Sequence, residues 1–226
     1  MATLFVVATP IGNLEDVTLR ALRILKEVDV VLCEDTRMTK RLLSHYDIHT
    51  ATLSYHSQSG DMKIEKIIEL LAEGKNLALV SDAGTPTISD PGSLLVSRVR
   101  DHFGAAVSIV AVPGASALTA ALSIAGVPAS DFVFLGFLPH KKGRETLFSE
   151  IAASERTIVF YESTHRLMKA LESLKLHLAP TRRIAVIREI TKVFEEVAKG
   201  TAEELIAHFS SDPQKQRGEF VIIVEA

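Results

Sequence analysis

Short apolar runs of strand length alternate with segments of helical periodicity, and this alternation constrains the fold of the chain more than any other feature. In the first half, strand-like runs cover residues 4–8, 29–33, 76–80 and 107–111. Apolar residues recur at helical spacing over 18–26, 63–73, 92–102 and 116–125. Parallel strands need long crossover connections, which are usually helices. The pattern therefore predicts an α/β fold with a mostly parallel sheet that is covered on both faces.

A second block of elements begins near Asp131. Strand-like runs cover 132–135, 156–161, 184–188 and 219–225, and helical segments cover 145–153, 164–176 and 202–209. Gly126 and Pro128 lie in the link between the blocks, where turn-forming residues are typical of a boundary. We therefore predict two α/β domains, over residues 1–127 and 128–226.

Composition narrows the class of protein. The chain has 226 residues, of which 47% are hydrophobic, whereas disordered chains have few apolar residues and a high net charge. No apolar run reaches the roughly 18–20 residues of a membrane span, and residues 1–4 do not begin a signal peptide. Cys33 is the only cysteine, so no internal disulfide forms. These features indicate a cytoplasmic enzyme or binding protein.

Three loops that follow strands are unusually rich in glycine, proline and hydroxyl residues. They cover 8–16, 81–92 and 112–117. In an open α/β sheet, ligands lie beyond the carboxyl ends of the strands, which is where these loops are predicted. Gly84 permits a close approach of a ligand to the main chain, and Ser116 suits the start of the next helix. The alternative is that the loops are only well-capped strand-to-helix connections.

Common nucleotide-binding motifs are absent. The sequence contains neither G-x-G-x-x-G nor G-x-x-x-x-G-K-[ST], which counts against dinucleotide or nucleoside-triphosphate use. It also has no C-x-x-C, H-E-x-x-H or acidic calcium loop, so we expect no metal.

Ten segments together resemble a known family. In order, they are ATPIGNL at 8–14, EDTR at 34–37, SYH at 54–56, SDAGTPTISDPG at 81–92, PGASAL at 113–118, GFLP at 136–139, FYES at 160–163, HRL at 165–167, REITK at 188–192 and GEF at 218–220. They resemble the 16S rRNA (cytidine 2′-O)-methyltransferase I family, which has the tetrapyrrole methylase-like fold, and the match spans essentially the whole chain. The string at 81–92 is the most specific of them.

The resemblance implies a fold, a cofactor and a substrate. It implies a mostly parallel sheet in the N-terminal domain, a mixed sheet in the C-terminal domain, and S-adenosylmethionine bound in a cleft between them. It also implies a homodimer that methylates the ribose 2′-oxygen of a decoding-region cytidine in 16S rRNA of the small ribosomal subunit.

The same resemblance implies which residues contact the cofactor. They are Pro10, Ile11, Gly84, Thr85, Ile88, Ser89, Ser116, Ala117, Tyr161, Arg188 and Phe220. Most of these contacts are expected to come from the main chain or from shape. Relatives that act on tetrapyrroles often have aspartate at the position of Thr85, which separates this chain from that branch.

Catalysis needs a group that helps remove the hydroxyl proton. Glu34, Asp35 and Arg37 follow a buried strand at the predicted ligand edge of the sheet, so we predict that they line the catalytic site. The alternative is structural: Asp35 caps the next helix and pairs with Arg37.

Basic residues that suit RNA phosphates lie in three local clusters. The predicted RNA contacts are Lys40, Arg41, Lys141, Lys142, Arg144 and Lys192. Solvated surface charge is the alternative for each. The net charge of −3 favours a small-molecule substrate instead, since nucleic-acid-binding proteins are usually basic. A tetrapyrrole or other small-molecule methylase, and a non-catalytic ribosome-binding factor, therefore remain as alternatives.

Overall fold

The computed structural model describes residues 1–56, 60–88 and 92–226. The chain forms two compact units, Met1–Ser116 and Ala117–Ala226. The contact boundary precedes the predicted one, because the helix Ala117–Ile124 is grouped with the second unit. The predicted domain boundary at 127/128 stays a prediction.

The first unit contains a five-stranded parallel sheet. Its strands are β1 (Thr3–Val7), β2 (Val30–Cys33), β3 (Ala51–Ser54), β4 (Leu77–Leu79) and β5 (Ser108–Val112). Their order is β3-β2-β4-β1-β5, and every pair is parallel. Leu4 lies opposite Leu77 on one side and Ile109 on the other. All carboxyl ends therefore meet at one edge of the sheet.

Helices cover both faces of this sheet. They are α1 (Leu19–Glu27), α2 (Thr36–His45), α3 (Asp61–Ala72) and α4 (Gly92–Phe103). The chain moves in one direction along the sheet through α1 and α2 and returns through α3 and α4. Since such crossovers are right-handed, the two helix pairs pack on opposite faces. Two separate apolar cores confirm this arrangement, one containing Leu25 and Leu43, the other Ile67 and Leu95.

The second unit contains a mixed sheet. Its strands are β6 (Phe132–Phe137), β7 (Thr157–Ser163), β8 (Ile184–Arg188), β9 (Glu196–Gly200) and β10 (Glu219–Val224). Their order is β6-β7-β10-β8-β9, in which only β6 and β7 are parallel. Gly136 has a φ of 64° and lies where the β6–β7 register shifts.

The helices of the second unit are α5 (Ala117–Ile124), α6 (Arg144–Ala153), α7 (Leu167–His177) and α8 (Ala202–Ser210). Helices α6, α7 and α8 contribute Phe148, Leu171 and Phe209 to one core with alternate residues of the sheet, such as Phe160 and Ile222. Burial of each such side chain stabilises the fold by about 1.5–3 kcal/mol.

The predicted fold class is confirmed, because the first sheet is parallel and the second is mixed. Strands β3 and β9 were not predicted from the sequence, and helix α2 was considered there only as the segment that Asp35 would cap, without bounds. Helix α2 buries only Thr39 and Leu43, so its apolar stripe is narrow. Strand β9 is an edge strand that buries only alternate residues. Among the described residues, no helix combines the length and apolar character that crossing a membrane requires.

Candidate active site at the carboxyl edge of the first sheet

The loops after β1 and β4 are joined by their main chains. Thr9 N–H donates to Gly84 O at 2.9 Å, and Gly84 N–H donates to Thr9 O at 3.0 Å. This pair of bonds forms an isolated antiparallel bridge just beyond the ends of two neighbouring parallel strands. Two of the three loops singled out in the sequence therefore meet at the edge where ligands bind in open α/β sheets.

Two buried hydroxyl groups hold this junction together. The Thr9 hydroxyl donates to Ser81 O at 3.2 Å, and Ser81 Oγ donates to Gly84 O at 3.3 Å and to Ala83 O at 3.2 Å. Both residues are only 3% exposed. Neither Thr9 nor Ser81 was among the site residues predicted from the sequence, although each is a polar residue placed shortly after a buried strand, which is a detectable signal.

The third loop, which follows β5, packs against the other two. Thr85 Oγ1 donates to Ala115 O at 3.1 Å, and Ala8 N–H donates to Val112 O at 3.1 Å. A Cβ atom at Gly114 would lie 3.0 Å from the Ala8 Cβ, so only glycine fits without displacement. The three loops thus form one continuous main-chain surface at the ends of β1, β4 and β5.

Gly84 lies at the centre of this surface. Its φ of 79° is in the left-handed region that disfavours other residues. A Cβ atom there would lie 3.2 Å from Ile11 Cγ2 and 3.7 Å from Ala115 O, so it would fill the space among the three loops. A main-chain surface of this shape suits a ligand that is recognised by close approach, as the family resemblance implies for S-adenosylmethionine.

The predicted cofactor residues of the first unit lie on or beside these loops. Ile11 is buried, Pro10 is half-buried, and Ile88 is 42% exposed. Ser116 ends the first unit and Ala117 begins α5 in the second. Ser89 lies outside the described residues.

An acidic group occupies the same edge at the ends of β2 and β4. Asp35 is the N-cap of α2 and accepts a bond from Arg37 N–H at 2.8 Å. Its main-chain N–H donates to Asp82 Oδ1 at 3.0 Å. Glu34, which precedes Asp35, is half-buried. The structure therefore brings the predicted catalytic residues to the same sheet edge as the loops.

Asp35 and Arg37 form an exposed bidentate pair. Arg37 Nη2 lies 2.7 Å from Asp35 Oδ2, and Arg37 Nε lies 3.1 Å from Oδ1. Hydrogen bonds from the Arg37 side chain, and then from its main chain, lower the pKa of Asp35 to about 2. The capping and ion-pairing roles weighed from the sequence are thus present. Asp35 is ionised at neutral pH and is a weak base there.

In the second unit, Tyr161 lies in an aromatic group. Its ring centroid is 4.9 Å from that of Phe134 and 5.3 Å from that of Phe137, both in edge-on contacts. Phe137 is 58% exposed. Strand alternation directs Tyr161 to the sheet face opposite Phe160, which packs into the helix-covered core. Tyr161 is therefore suited to a ligand-facing role.

Arg188 and Phe220 differ from Tyr161 in placement. Phe220 is 2% exposed and belongs to the helix-covered core. The Arg188 guanidinium donates to the carbonyl oxygens of Arg217 at 2.7 Å and Gln214 at 2.9 Å. Its side chain braces the segment before β10, so any cofactor contact of these two residues is more readily made by main chain than by side chain.

The predicted RNA contacts divide into exposed and internally paired residues. Lys40, Arg41, Lys141 and Lys142 are exposed. The Arg144 side chain is only 11% exposed and lies 3.2 Å from a carboxylate oxygen of Glu162, which leaves little of it for a phosphate.

Lys192 is also engaged within the protein. It pairs with Glu189 at 2.9 Å and Glu219 at 2.7 Å. Burial alone would lower the pKa of Lys192, but hydrogen bonds with these two carboxylates raise it above its usual value. Lys192 is therefore held as an ion-pair partner. Within the described ranges, no group of three or more His, Cys, Asp or Glu side chains is arranged to hold a metal ion.

The fold and the family model define the class of protein. Residues 3–206 match the family described as Tetrapyrrole (Corrin/Porphyrin) Methylases. The crystal structure of the methyltransferase CobJ shares the fold with a TM-score of 0.72, at 20% identity, over 100% of this chain and 94% of that chain. This likeness concerns the fold alone, which is that of the tetrapyrrole methylases.

Closer relatives in sequence identify the family within this class. A protein of Halalkalibacterium halodurans named Ribosomal RNA small subunit methyltransferase I is 46% identical over 225 residues, which are 99% of this chain and 75% of the relative. The protein of the same name from Xylella fastidiosa is 46% identical over 224 residues, 99% of this chain and 81% of the relative. The chain belongs to the ribosomal RNA small subunit methyltransferase I family, as the motifs predicted.

Proposed function

We propose that this protein uses S-adenosylmethionine to methylate 16S rRNA in the small ribosomal subunit, on the ribose 2′-oxygen of a decoding-region cytidine. The observation that carries the proposal is the 46% identity to proteins named Ribosomal RNA small subunit methyltransferase I over 99% of the chain. The rRNA substrate comes from those names. The 2′-oxygen and the cytidine come from the motif resemblance.

The three-loop surface supports the choice of cofactor. S-adenosylmethionine, when bound, supplies an electrophilic methyl group to a nucleophilic oxygen. Hydrogen bonds with Thr9 and Ser81 hold the main chain of Gly84, and the Thr85 side chain is bonded to Ala115 O. These bonds make the surface rigid where the cofactor would approach the main chain closely. Rigid positioning of reactants at about 3–3.5 Å can supply roughly 7–11 kcal/mol of a barrier. The cofactor residues predicted from the sequence are retained in this proposal.

The acidic edge supports distinct roles for the catalytic residues. Asp35 holds the Arg37 guanidinium and caps α2, so it orients rather than accepts a proton. Arg37 is 88% exposed and is proposed to contact a phosphate or hydroxyl of the target nucleotide. Glu34 is proposed to assist removal of the 2′-hydroxyl proton, a role that typically contributes about 10²–10⁴-fold to the rate.

Substrate contacts outside the target nucleotide are proposed for exposed lysine and arginine side chains. Lys40 and Arg41 on α2 follow Arg37 on the same helix, and Lys141 and Lys142 lie before α6. Phosphate contacts would make the affinity for ribosomal subunits salt-dependent. The homodimer implied by the family resemblance and the cytoplasmic location indicated by the composition are further proposals.

Transfer of labelled methyl groups tests the function. The protein would be incubated with tritiated S-adenosylmethionine and small ribosomal subunits from cells that lack the endogenous enzyme. We expect label in nuclease-resistant 2′-O-methylcytidine. Label elsewhere in the rRNA would overturn the atom or base assignment, and transfer only to porphyrinoid acceptors would favour the tetrapyrrole alternative. Subunit binding without cofactor binding would favour a non-catalytic ribosome-binding factor.

A further inference from the structure

A fully buried carboxylate lies between two arginines in the second unit. The Glu162 side chain is 0% exposed, and its oxygens lie 3.2 Å from Arg144 Nη2 and 3.2 Å from Arg166 Nε. Ser163 N–H also donates to Glu162 Oε1 at 2.9 Å. Replacement of such an ion cluster by apolar residues is often neutral for stability, so stability alone does not require it. The groups that the cluster holds in place therefore indicate its role.

The two arginines extend from Glu162 to the segment that follows β6. Arg166 Nη2 donates to Leu138 O at 2.6 Å and to Pro139 O at 3.2 Å. Arg144 Nη1 donates to Pro139 O at 3.2 Å. Each guanidinium therefore uses part of its fork on Glu162 and part on the main chain of one short segment.

This arrangement fastens both ends of a basic turn, defined as residues 140–143. Its beginning follows Pro139, which the two guanidinium groups hold. Its end is Arg144, the first residue of α6 and itself a partner of Glu162. Arg144 N–H donates to Lys141 O at 3.2 Å and closes the turn. The exposed side chains of Lys141 and Lys142 thus project from a turn that is anchored on both sides.

The charge of the cluster suits an anionic ligand of the turn. Two guanidinium groups surround one carboxylate, so a net positive charge lies beneath two further lysines. A turn held in place also spares part of the entropy cost of ordering long side chains on binding. Arg144, which the sequence suggested as a direct RNA contact, has instead the geometry of a support.

We propose that Glu162 is a positioning residue that, through Arg144 and Arg166, holds the basic turn ready to bind backbone phosphates of the rRNA substrate. The inference rests on the proposed function, because the ligand it names is the RNA of the small ribosomal subunit. It assigns substrate affinity, and not methyl transfer itself, to Glu162.

Binding of small ribosomal subunits at a series of KCl concentrations tests the proposal. The variants are Glu162→Gln, the pair Lys141→Ala and Lys142→Ala, and the combination of all three. The charge-matched control is the pair Lys66→Ala and Lys175→Ala, which removes two exposed lysines from surface ion pairs on α3 and α7. Circular dichroism and S-adenosylmethionine affinity, unchanged from the wild type, verify that each variant folds.

We expect the Lys141 and Lys142 changes to weaken binding and to reduce the salt slope by about 1.4–1.8, the value for two lost phosphate contacts. Glu162→Gln should weaken binding about fivefold or more by loosening the turn. When Glu162→Gln is already present, the lysine changes should reduce the affinity for subunits less than they do in the wild type, because the residues act as one unit. The control pair should leave the salt slope close to that of the wild type.

Two results would overturn the inference. If the Lys141 and Lys142 variants bind subunits as tightly as the wild type, these lysines do not contact phosphates. If the effects of Glu162→Gln and of the lysine changes on binding are fully additive, Glu162 does not act through the turn and is only structural. If Glu162→Gln does not fold, Arg166→Lys replaces it, because a lysine side chain cannot bind the carboxylate and the carbonyl oxygen at the same time. The effects of Arg166→Lys and of the lysine changes on subunit binding must then be non-additive in the same way. Failure of the wild type itself to bind subunits would instead refute the proposed function, before any variant is compared.

Discussion

Substitution of Gly84 by alanine gives a direct test of the three-loop surface. Its φ of 79° makes any other L-residue strained, at a cost of about 1–2 kcal/mol. The new methyl group would also lie 3.2 Å from Ile11 Cγ2, so Ile11 or the loop must move. Overpacking of this kind typically costs about 1–3 kcal/mol. The total expected loss of stability is therefore about 2–5 kcal/mol, less the roughly 0.4–1 kcal/mol gained from a stiffer unfolded chain.

Gly74→Ala is the matched control. Gly74 has a φ of 86°, but a Cβ atom there meets nothing within 4 Å. It shares the backbone strain of Gly84 and lacks the contact with Ile11. The difference between the two variants therefore isolates the packing of the loops and should be about 1–3 kcal/mol.

Two assays separate stability from binding. The chain has no tryptophan, so unfolding in urea would be followed by far-ultraviolet circular dichroism, and cofactor binding by calorimetry. We expect Gly84→Ala to weaken S-adenosylmethionine binding by about tenfold or more, which equals 1.4 kcal/mol, while Gly74→Ala binds as the wild type does. Equal urea midpoints together with equal cofactor affinities would refute the role assigned to Gly84.

Three further predictions follow from the same edge of the sheet. Thr9→Val removes the donor to Ser81 O, so it should lower the free energy of unfolding by about 1–3 kcal/mol and weaken cofactor binding. The control Thr157→Val removes a bond to Pro128 O in the second unit, and it should lower the free energy of unfolding by a similar amount without changing cofactor affinity. Glu34→Gln should lower kcat by about 10²–10⁴-fold with cofactor affinity unchanged, whereas the exposed Glu27→Gln should not, and equal rates would remove Glu34 from catalysis. Because its pKa is lowered to about 2, Asp35 contributes stability above its usual pKa that is lost as the pH falls toward 2. The thermal midpoint of Asp35→Asn should therefore fall less steeply than that of the wild type between pH 4 and about 2. If the two plots of thermal midpoint against pH coincide, the ion pair of Asp35 with Arg37 does not contribute to stability.

The sequence predicts elements best where apolar residues follow one another without interruption. Strands β1, β4 and β10 are nearly fully apolar, so their runs stand out, and the predicted strand over 184–188 matches β8. Strand β9 was missed and helix α2 was given no bounds, because each contacts the core through few residues and its local pattern resembles that of a polar loop. Partial burial is decided by neighbours distant in the chain, which local periodicity does not report.

The residues of the candidate site were likewise predicted only in part. The loops near Gly84 and the acidic run at Glu34 were identified from residue types that follow buried strands, because a parallel sheet brings all carboxyl ends to one edge. The buried hydroxyls of Thr9 and Ser81 were not. The Thr9 hydroxyl bonds Ser81 O across 72 residues of sequence, and the Ser81 hydroxyl bonds Ala83 O and Gly84 O through the folded shape of its own loop.

The sequence by itself determined the α/β class, the family and the loops that carry the proposed chemistry, because hydrophobic periodicity and motif order are local properties. Only the tertiary structure decided which charged side chains face solvent. Lys141 and Arg144 are three residues apart and both positively charged, yet Lys141 is exposed and Arg144 is paired with the buried Glu162. The physical reason is that a charge can be buried only beside a partner, and that partner, Glu162, lies on strand β7, distant from Arg144 in the sequence.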